Sequence, residues 1–412
     1  MLRIVAAMLC LLLSAMVLSH CRPPITEATR VINVAPCHVI SAEGQDPLPS
    51  GLALGTNGDL FVGYLHAGKG TFGIHTRIAV YDREIVAKSG VPTPSHFANS
   101  YIVYYRGTPS RPKRSIDTVF FGQTQYAIAV DRGGNLYVPD PSVREGMTDP
   151  GVTSSIRIFA PDAINSAKPT RFIHGPHTRL WHPFGLAIDE SGNLYVANAV
   201  GIDFHAKYQR TSSVLVFAPK ADGDAAPIRE IVGPRTRLSA VRAIAVGSDG
   251  YIYVSGGHNL DNLRIPFFIN VYAPKAAGDQ PPVRRIAGEA PTSAEFTDSL
   301  TQGQEWIKKN RLDKVMTGDP GDLLYELHNS PRLNRPAQMA LDHAGNLWVA
   351  NINAWRITEY APGASGNVKP IRVIEGDKTG LLQPAGIAVD GDGNVYVSNF
   401  GAQANEYCSL GM

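Results

Sequence analysis

The sequence predicts an all-β chain folded as a single six-bladed β-propeller of four-stranded antiparallel blades, with a closing blade shared by both termini. Three observations predict it: a strand-turn-strand pattern written six times, two further strands behind most copies, and short lengths of chain left over at each end.

The hairpins come first. "GLALGTNGDLFVGY" from 51, "AIAVDRGGNLYVPD" from 127 and "GLAIDESGNLYVAN" from 185 are followed by "AIAVGSDGYIYVSG" from 243, "QMALDHAGNLWVAN" from 338 and "GIAVDGDGNVYVSN" from 386. Each is two apolar strands around a tight turn with Gly beside Asn or Asp, residues that tolerate positive φ at such corners. The turn glycines stand at 58, 134, 192, 250, 345 and 393, so loops of different length are inserted into a constant sheet.

Strands three and four follow in "SIRIFAPDAINSAKPTRFIHG" from 155, "SVLVFAPKADGDAAPIREIVG" from 213, "FFINVYAPKAAGDQPPVRRIAG" from 267 and "RITEYAPGASGNVKPIRVIEG" from 356. A Pro/Gly-rich connection joins them. After Gly393 only 19 residues remain, too few for a blade, while residues 30 to 58 supply about 29 more. At the two ends, "VINVAPCHVIS" from 31 and "ANEYCSLGM" from 404 both echo the third strand, so which end supplies it is open. Sharing one blade removes the free edges that a linear stack would expose.

Composition fits a globular protein, at 44% apolar and 18% charged residues. The formal charge of +2 offers no global field for nucleic acid or anionic membrane. The basic cluster "RPKRS" at 111 to 115 reads as a solvated loop.

Residues 1–20 read as an export signal: Arg3, then an apolar run too short for a comfortable membrane span, then small residues. Val17-Leu18-Ser19 suits cleavage after Ser19, and residues 21–29 form a flexible segment before the propeller at 30–412. The expected product is a secreted or periplasmic monomer. The alternative is a lipid anchor at Cys21, whose box is spoiled by His20. In an oxidising compartment Cys37 and Cys408, both in the closing blade, are expected to form a disulfide.

The repeated unit resembles that of the NHL-repeat propellers, exported bacterial ones included, over nearly all of residues 30–412. The resemblance implies the fold and says little about activity, because the shared residues are packing and turn residues.

Connections between strands two and three, and from strand four into the next blade, leave on one face, the more varied one. Strand two ends there in Tyr64, Asp140, Asn198, Gly256, Asn351 and Asn399. Asp140, Asn198, Asn351 and Asn399 converging on a channel would offer oxygen ligands to a divalent cation such as calcium. The competing reading is that Asn and Asp simply begin a turn.

The same face carries Asp203 and His205 in residues 199–212, His258 and Asp261 in residues 257–266, and His66. These would suit zinc or acid and base roles, as in propellers of the streptogramin-lyase kind, or would be ordinary polar loop residues. His182 stands just before a channel-lining strand, with Phe184, Arg242 and Tyr126 at neighbouring positions, a candidate aromatic and cationic lip. No cofactor is certain; a divalent cation, calcium or zinc, is the candidate.

The longest insertion, 289–335, contains "QEWIKKNRLDKVM", where Trp306, Ile307, Leu312, Val315 and Met316 predict a short amphipathic helix over the loop face. No nucleophile elbow, complete Walker-type phosphate loop or C-x-x-C pair is present in the sequence. Two functions therefore stand: a binding or scaffold module for a protein, peptide or glycan, and a metal-assisted lactonase or lyase at the channel mouth.

Overall fold

A computed structural model describes residues 30–32, 38–41, 47–56, 58–67, 74–81, 101–104, 112–120, 127–140, 154–163, 167–199, 212–257, 266–289, 292–309, 331–376 and 378–399. Its strands form sheets that follow the repeat. Two short strands come first, β1 (Arg30–Ile32) and β2 (His38–Ser41), and both join sheets completed much later in the chain.

The first sheet orders β3 (Pro47–Leu54), β4 (Leu60–Ala67), β5 (Ile74–Tyr81) and β7 (Pro112–Phe120), with β6 (Tyr101–Tyr104) leaving it on an excursion. The second holds β8 (Ala129–Val130), β9 (Leu136–Asp140), β10 (Ser155–Phe159) and β11 (Arg171–His174). The third holds β12 (His182–Ile188), β13 (Leu194–Ala199), β14 (Ser213–Phe217) and β15 (Arg229–Ile231). The fourth is β16 (Ile244–Val246), β17 (Ile252–Gly256), β18 (Phe268–Tyr272) and β19 (Arg284–Ala287). After helix α1 (Ser293–Lys309), the fifth holds β20 (Pro336–Leu341), β21 (Leu347–Asn351), β22 (Arg356–Tyr360) and β23 (Arg372–Ile374), and the sixth begins with β24 (Pro384–Val389) and β25 (Val395–Asn399).

The hairpin turns form as their residues dictate. Gly134, Gly192, Gly345 and Gly393 take φ near +80°. At each of them an Asp three positions earlier, Asp189 for instance, accepts the backbone N–H of the Asn that follows the glycine, at 2.9 Å for Asn193. The second carboxylate oxygen of Asp189 receives the Tyr195 hydroxyl at 3.1 Å. Aspartate, glycine, asparagine and tyrosine thus act as one turn-and-strand unit.

Neighbouring sheets are stitched by arginine. Arg229 lies over the Tyr195 ring, donates to its hydroxyl at 3.0 Å, and reaches into the fourth sheet to the carbonyls of Pro274 (2.6 Å) and Ala276 (3.3 Å). Arg171 does the same to Tyr137, Pro219 and Ala221 one sheet earlier. Apolar clusters fill the gaps. Each spans two consecutive sheets, and one, built on Leu52, Leu60, Val62 and Ala388, joins the sixth sheet to the first. Innermost strands also touch in sequence from β3 round to β24. All-β sheets of four antiparallel strands in this arrangement are those of a β-propeller.

The N-terminal segment has a definite place. Ile173, Ile231 and Ile286 each bridge in parallel to a glycine in the next sheet's three-to-four connection. Ile374, their counterpart in the fifth sheet, pairs in parallel with Ile32 of β1. Residues 30–32 therefore stand where the sixth sheet's own connection belongs, and β2 follows as its outermost strand.

The third strand of that sheet differs from the expectation. It is β6, paired with β25 on one side and β2 on the other, rather than a stretch from either end. "YIVY" carries the aromatic and β-branched residues of a strand but no repeat signature, so alignment on the repeat passes over it. Residues 400–412, Cys21, Cys37 and Cys408 lie outside the described residues.

Helix α1 also departs from the expected span, starting eleven residues before "QEWIKK". Its cap explains the start: Glu295 N–H donates to Thr292 Oγ1 at 3.3 Å and Thr292 N–H to Glu295 Oε2 at 2.9 Å, a reciprocal capping box. Among the described residues no helix is long and apolar enough to cross a membrane.

Candidate functional site

The loop face is where strand two of each sheet ends and where the chain arrives from the previous sheet. Asn198 lies buried at that junction. Its Oδ1 accepts the Trp181 N–H at 2.8 Å, and its Nδ2 donates to the Arg179 carbonyl at 3.1 Å. Asn351 accepts the Asn334 N–H at 2.9 Å, and Asn399 the Leu382 N–H at 2.8 Å. In all three sheets the donor lies 17 positions upstream, so each carboxamide clamps the segment that enters its own sheet.

Gly256 has no side chain to offer, and a Cβ there would lie 2.4 Å from the Ser239 carbonyl. Asn270, on the adjacent strand β18, takes over, donating to the carbonyls of Thr236 (3.3 Å) and Arg237 (3.1 Å). Asp140 is 2% exposed and accepts Arg157 Nη2 at 2.9 Å.

Of the aromatic and cationic lip, the structure brings together three members. His182 and Phe184 stack with ring centroids 6.1 Å apart, and Trp181 stands 6.3 Å from His182. Phe184 packs against the apolar cluster that includes Val241 and Ile244. Strands β12 and β16 approach closely enough that a Cβ on Gly185 would sit 2.7 Å from the Arg242 carbonyl. His182, Phe184 and Arg242, each half-buried, therefore line one junction between the third and fourth sheets. Tyr126, Asp203, His205, His258 and Asp261 lie outside the described residues, and of His66 only the backbone is described, in β4.

Charge at the outer end of the same junctions was not legible from single motifs. Arg179 donates Nη1 to Glu230 Oε2 at 2.5 Å in the third sheet. In the fourth sheet Arg237 occupies the position of Arg179, both with left-handed backbone after a short 3-10 turn, and Arg285 occupies that of Glu230. Burial, then the nearby charge of Arg237, pulls the Arg285 guanidinium down to about 10, so it stays cationic at neutral pH. Setting the fourth strands side by side, "RFIH", "REIV" and "RRIA", would have exposed that change of sign.

The chain matches no family model and no curated protein. Among solved structures it is similar to a streptogramin B lyase, at 11% identity and a TM-score of 0.40 over 88% of this chain and 96% of that one. It is also similar to a catalytically inactive virginiamycin B lyase from Staphylococcus aureus with quinupristin (11%, TM-score 0.37, 88% and 98%). A third is the PQQ-bound aldose sugar dehydrogenase from Streptomyces coelicolor (13%, TM-score 0.32, 89% and 96%). Likeness this distant transfers no substrate.

Proposed function

We propose that the chain is an exported NHL-like propeller that binds a protein, peptide or glycan ligand through its loop face. In this reading the six sheets are six blades, the sixth closed by segments near both ends, with Cys37 and Cys408 bridged. The mature protein is a secreted or periplasmic monomer, or is held by lipid at Cys21.

The observation that supports binding over chemistry is the engagement of the strand-end side chains. Asn198, Asn351 and Asn399 hold backbone, and Asp140 holds Arg157, while His182, Phe184 and Arg242 form a mixed aromatic and cationic surface beside them. Such a surface suits recognition of a polar chain with flat or anionic groups.

The second reading, a metal-assisted lactonase or lyase at the channel mouth, rests on Asp140 as the one carboxylate among those strand ends. It requires Asp140 to exchange the Arg157 guanidinium for calcium or zinc. The test is metal analysis of the purified protein, calorimetric titration of both cations, and peptide-library and glycan-array binding by wild type and a His182→Ala, Phe184→Ala variant. Binding of a library member that the double variant loses, with no titrating metal, is the expected result. Metal that co-purifies and is lost in Asp140→Ala would overturn it in favour of the enzyme.

A further inference from the structure

The third and fourth sheets solve one position in opposite ways. At the outer end of the third sheet, Arg179 meets the Glu230 carboxylate at 2.5 Å, an ion pair within the chain. One sheet on, the glutamate is replaced by Arg285 and the arginine at the position of Arg179 is Arg237, whose charge is felt at Arg285, so the repeat brings two cations to a position that elsewhere holds one cation and one carboxylate. Asn270 joins them: its Oδ1 accepts Arg285 Nη1 at 2.9 Å and its Nδ2 donates to the Arg237 carbonyl at 3.1 Å.

Arg285 is further fixed by lying 4.0 Å over the Phe268 ring. Arg237 is exposed, and among the described residues neither arginine has a carboxylate within ion-pair distance. Two like charges at one spot repel unless an anion stands between them.

We infer that Arg237 and Arg285 form a receiving site for a carboxylate borne by a partner polypeptide, filling the place that Glu230 fills one sheet earlier. The template is a glutamate side chain, because a glutamate satisfies the equivalent arginine within this same molecule. Two guanidinium forks suit a planar carboxylate, which accepts from both. Val283, 56% exposed, stands two residues before Arg285, just ahead of its strand, and offers an apolar surface near the charge. The partner segment is therefore a glutamate flanked by apolar residues.

This inference rests on the binding-module reading and names its ligand class at a different part of the junction. The test uses the full-length mature protein and a fluorescein-labelled peptide alternating Glu and Leu, its Gln-for-Glu counterpart, and a labelled oligoglucuronate. Fluorescence anisotropy at low and high NaCl is the readout. Wild type is expected to bind the Glu peptide at least about tenfold more tightly than the Gln peptide, the equivalent of one lost charged contact, and to weaken with salt.

Arg285→Glu recreates the third sheet's ion pair, so it is expected to keep the thermal midpoint of wild type while losing that tenfold preference. Arg237→Gln, which leaves the sheet untouched, should lose most of it too. Equal binding of the two peptides, or an Arg285→Glu variant that binds as wild type does, would overturn the site. Binding of the oligoglucuronate alone would overturn the polypeptide assignment. A ligand lost on His182 and Phe184 substitution but indifferent to Arg285→Glu would leave the binding module standing and remove only this inference.

Discussion

Glu359 and Arg372 lie side by side in the fifth sheet, Oε2 to Nε at 3.1 Å, with the glutamate side chain 2% exposed and the contact not aligned as a hydrogen bond. The pair exists because of a third residue. In the second and third sheets the stitching arginine donates to a tyrosine hydroxyl, from Arg171 to Tyr137 and from Arg229 to Tyr195. In the fifth sheet that tyrosine is Trp348, whose indole N–H can donate to Asp342 at 3.1 Å but can accept nothing from Arg372. Glu359 stands where Ile158 and Val216 stand in the earlier sheets and sets a carboxylate beside Arg372 in place of the tyrosine hydroxyl.

The two exchanges should therefore be coupled. Glu359→Val alone leaves Arg372 without its charged partner and is expected to cost about 1 kcal/mol, discounted because Arg372 is partly exposed. Adding Trp348→Tyr restores the third sheet's arrangement and should recover much of that loss. Urea unfolding of the two single variants and the double variant gives the coupling energy. A double variant whose loss equals the sum of the singles refutes the exchange.

Acidity tests the same residue from another side. Burial pushes the Glu359 carboxyl above its ordinary range, opposed by Arg372 and reinforced by Asp342. A carboxyl raised on folding favours the folded state below its unfolded pKa, and that contribution is lost as pH rises through the folded value. The stability of wild type relative to Glu359→Gln should therefore fall from acid toward neutral pH. Thermal midpoints of both proteins across that range measure it, and a difference that grows with pH contradicts it.

The asparagine clamps carry a separate expectation. Asn351→Ala strands the buried N–H of Asn334 and should lower stability by about 1–3 kcal/mol, with Asn198→Ala similar because Trp181 loses the same partner. A chemical denaturation series reads both. If either variant is as stable as wild type, the side chain is not a structural clamp.

The placement of β1 and β2 predicts what truncation does. Removing residues up to Ser41 takes away the parallel partner of β23 and the outermost strand of the sixth sheet, exposing two edges. A lowered thermal midpoint and concentration-dependent association are expected by calorimetry and light scattering. For the proposed bridge between Cys37 and Cys408, non-reducing mass spectrometry of native protein is decisive, and two free thiols end it.

The repeat made the hairpins, the turns and the order of strands legible, because aspartate, glycine and tyrosine at fixed spacing perform the same local task in each sheet. What it hid were the departures. Asn270 replaces a clamp that Gly256 cannot supply, β6 enters a sheet from a segment with no repeat pattern, and Glu359 answers Trp348 from another strand. Each is a compensation between residues distant in sequence, which no single copy of the motif displays. The strand-end residues stand out in the sequence as a set, yet their engagement with backbone depends on entering loops of variable sequence that the repeat does not specify. The Thr292 capping box was present in plain letters and would have set the start of α1.

Gln338 adds a matter of timing. Its Oε1 accepts the N–H of Leu52, 286 positions away in sequence, at 3.1 Å, and that of Ile387 at 3.2 Å, while its Nε2 donates to the Leu52 carbonyl at 2.7 Å. One buried side chain thus spans the fifth, sixth and first sheets. A chain emerging N-terminus first must hold Leu52 and the strands around it incomplete until almost all of its length has appeared. Closure is then the slow, late event, since contacts of such separation carry the largest loop entropy. In the interval the unfinished sheets offer open edges to any passing chain, so a factor that holds the chain until closure would raise the yield of this protein more than a gain in final stability.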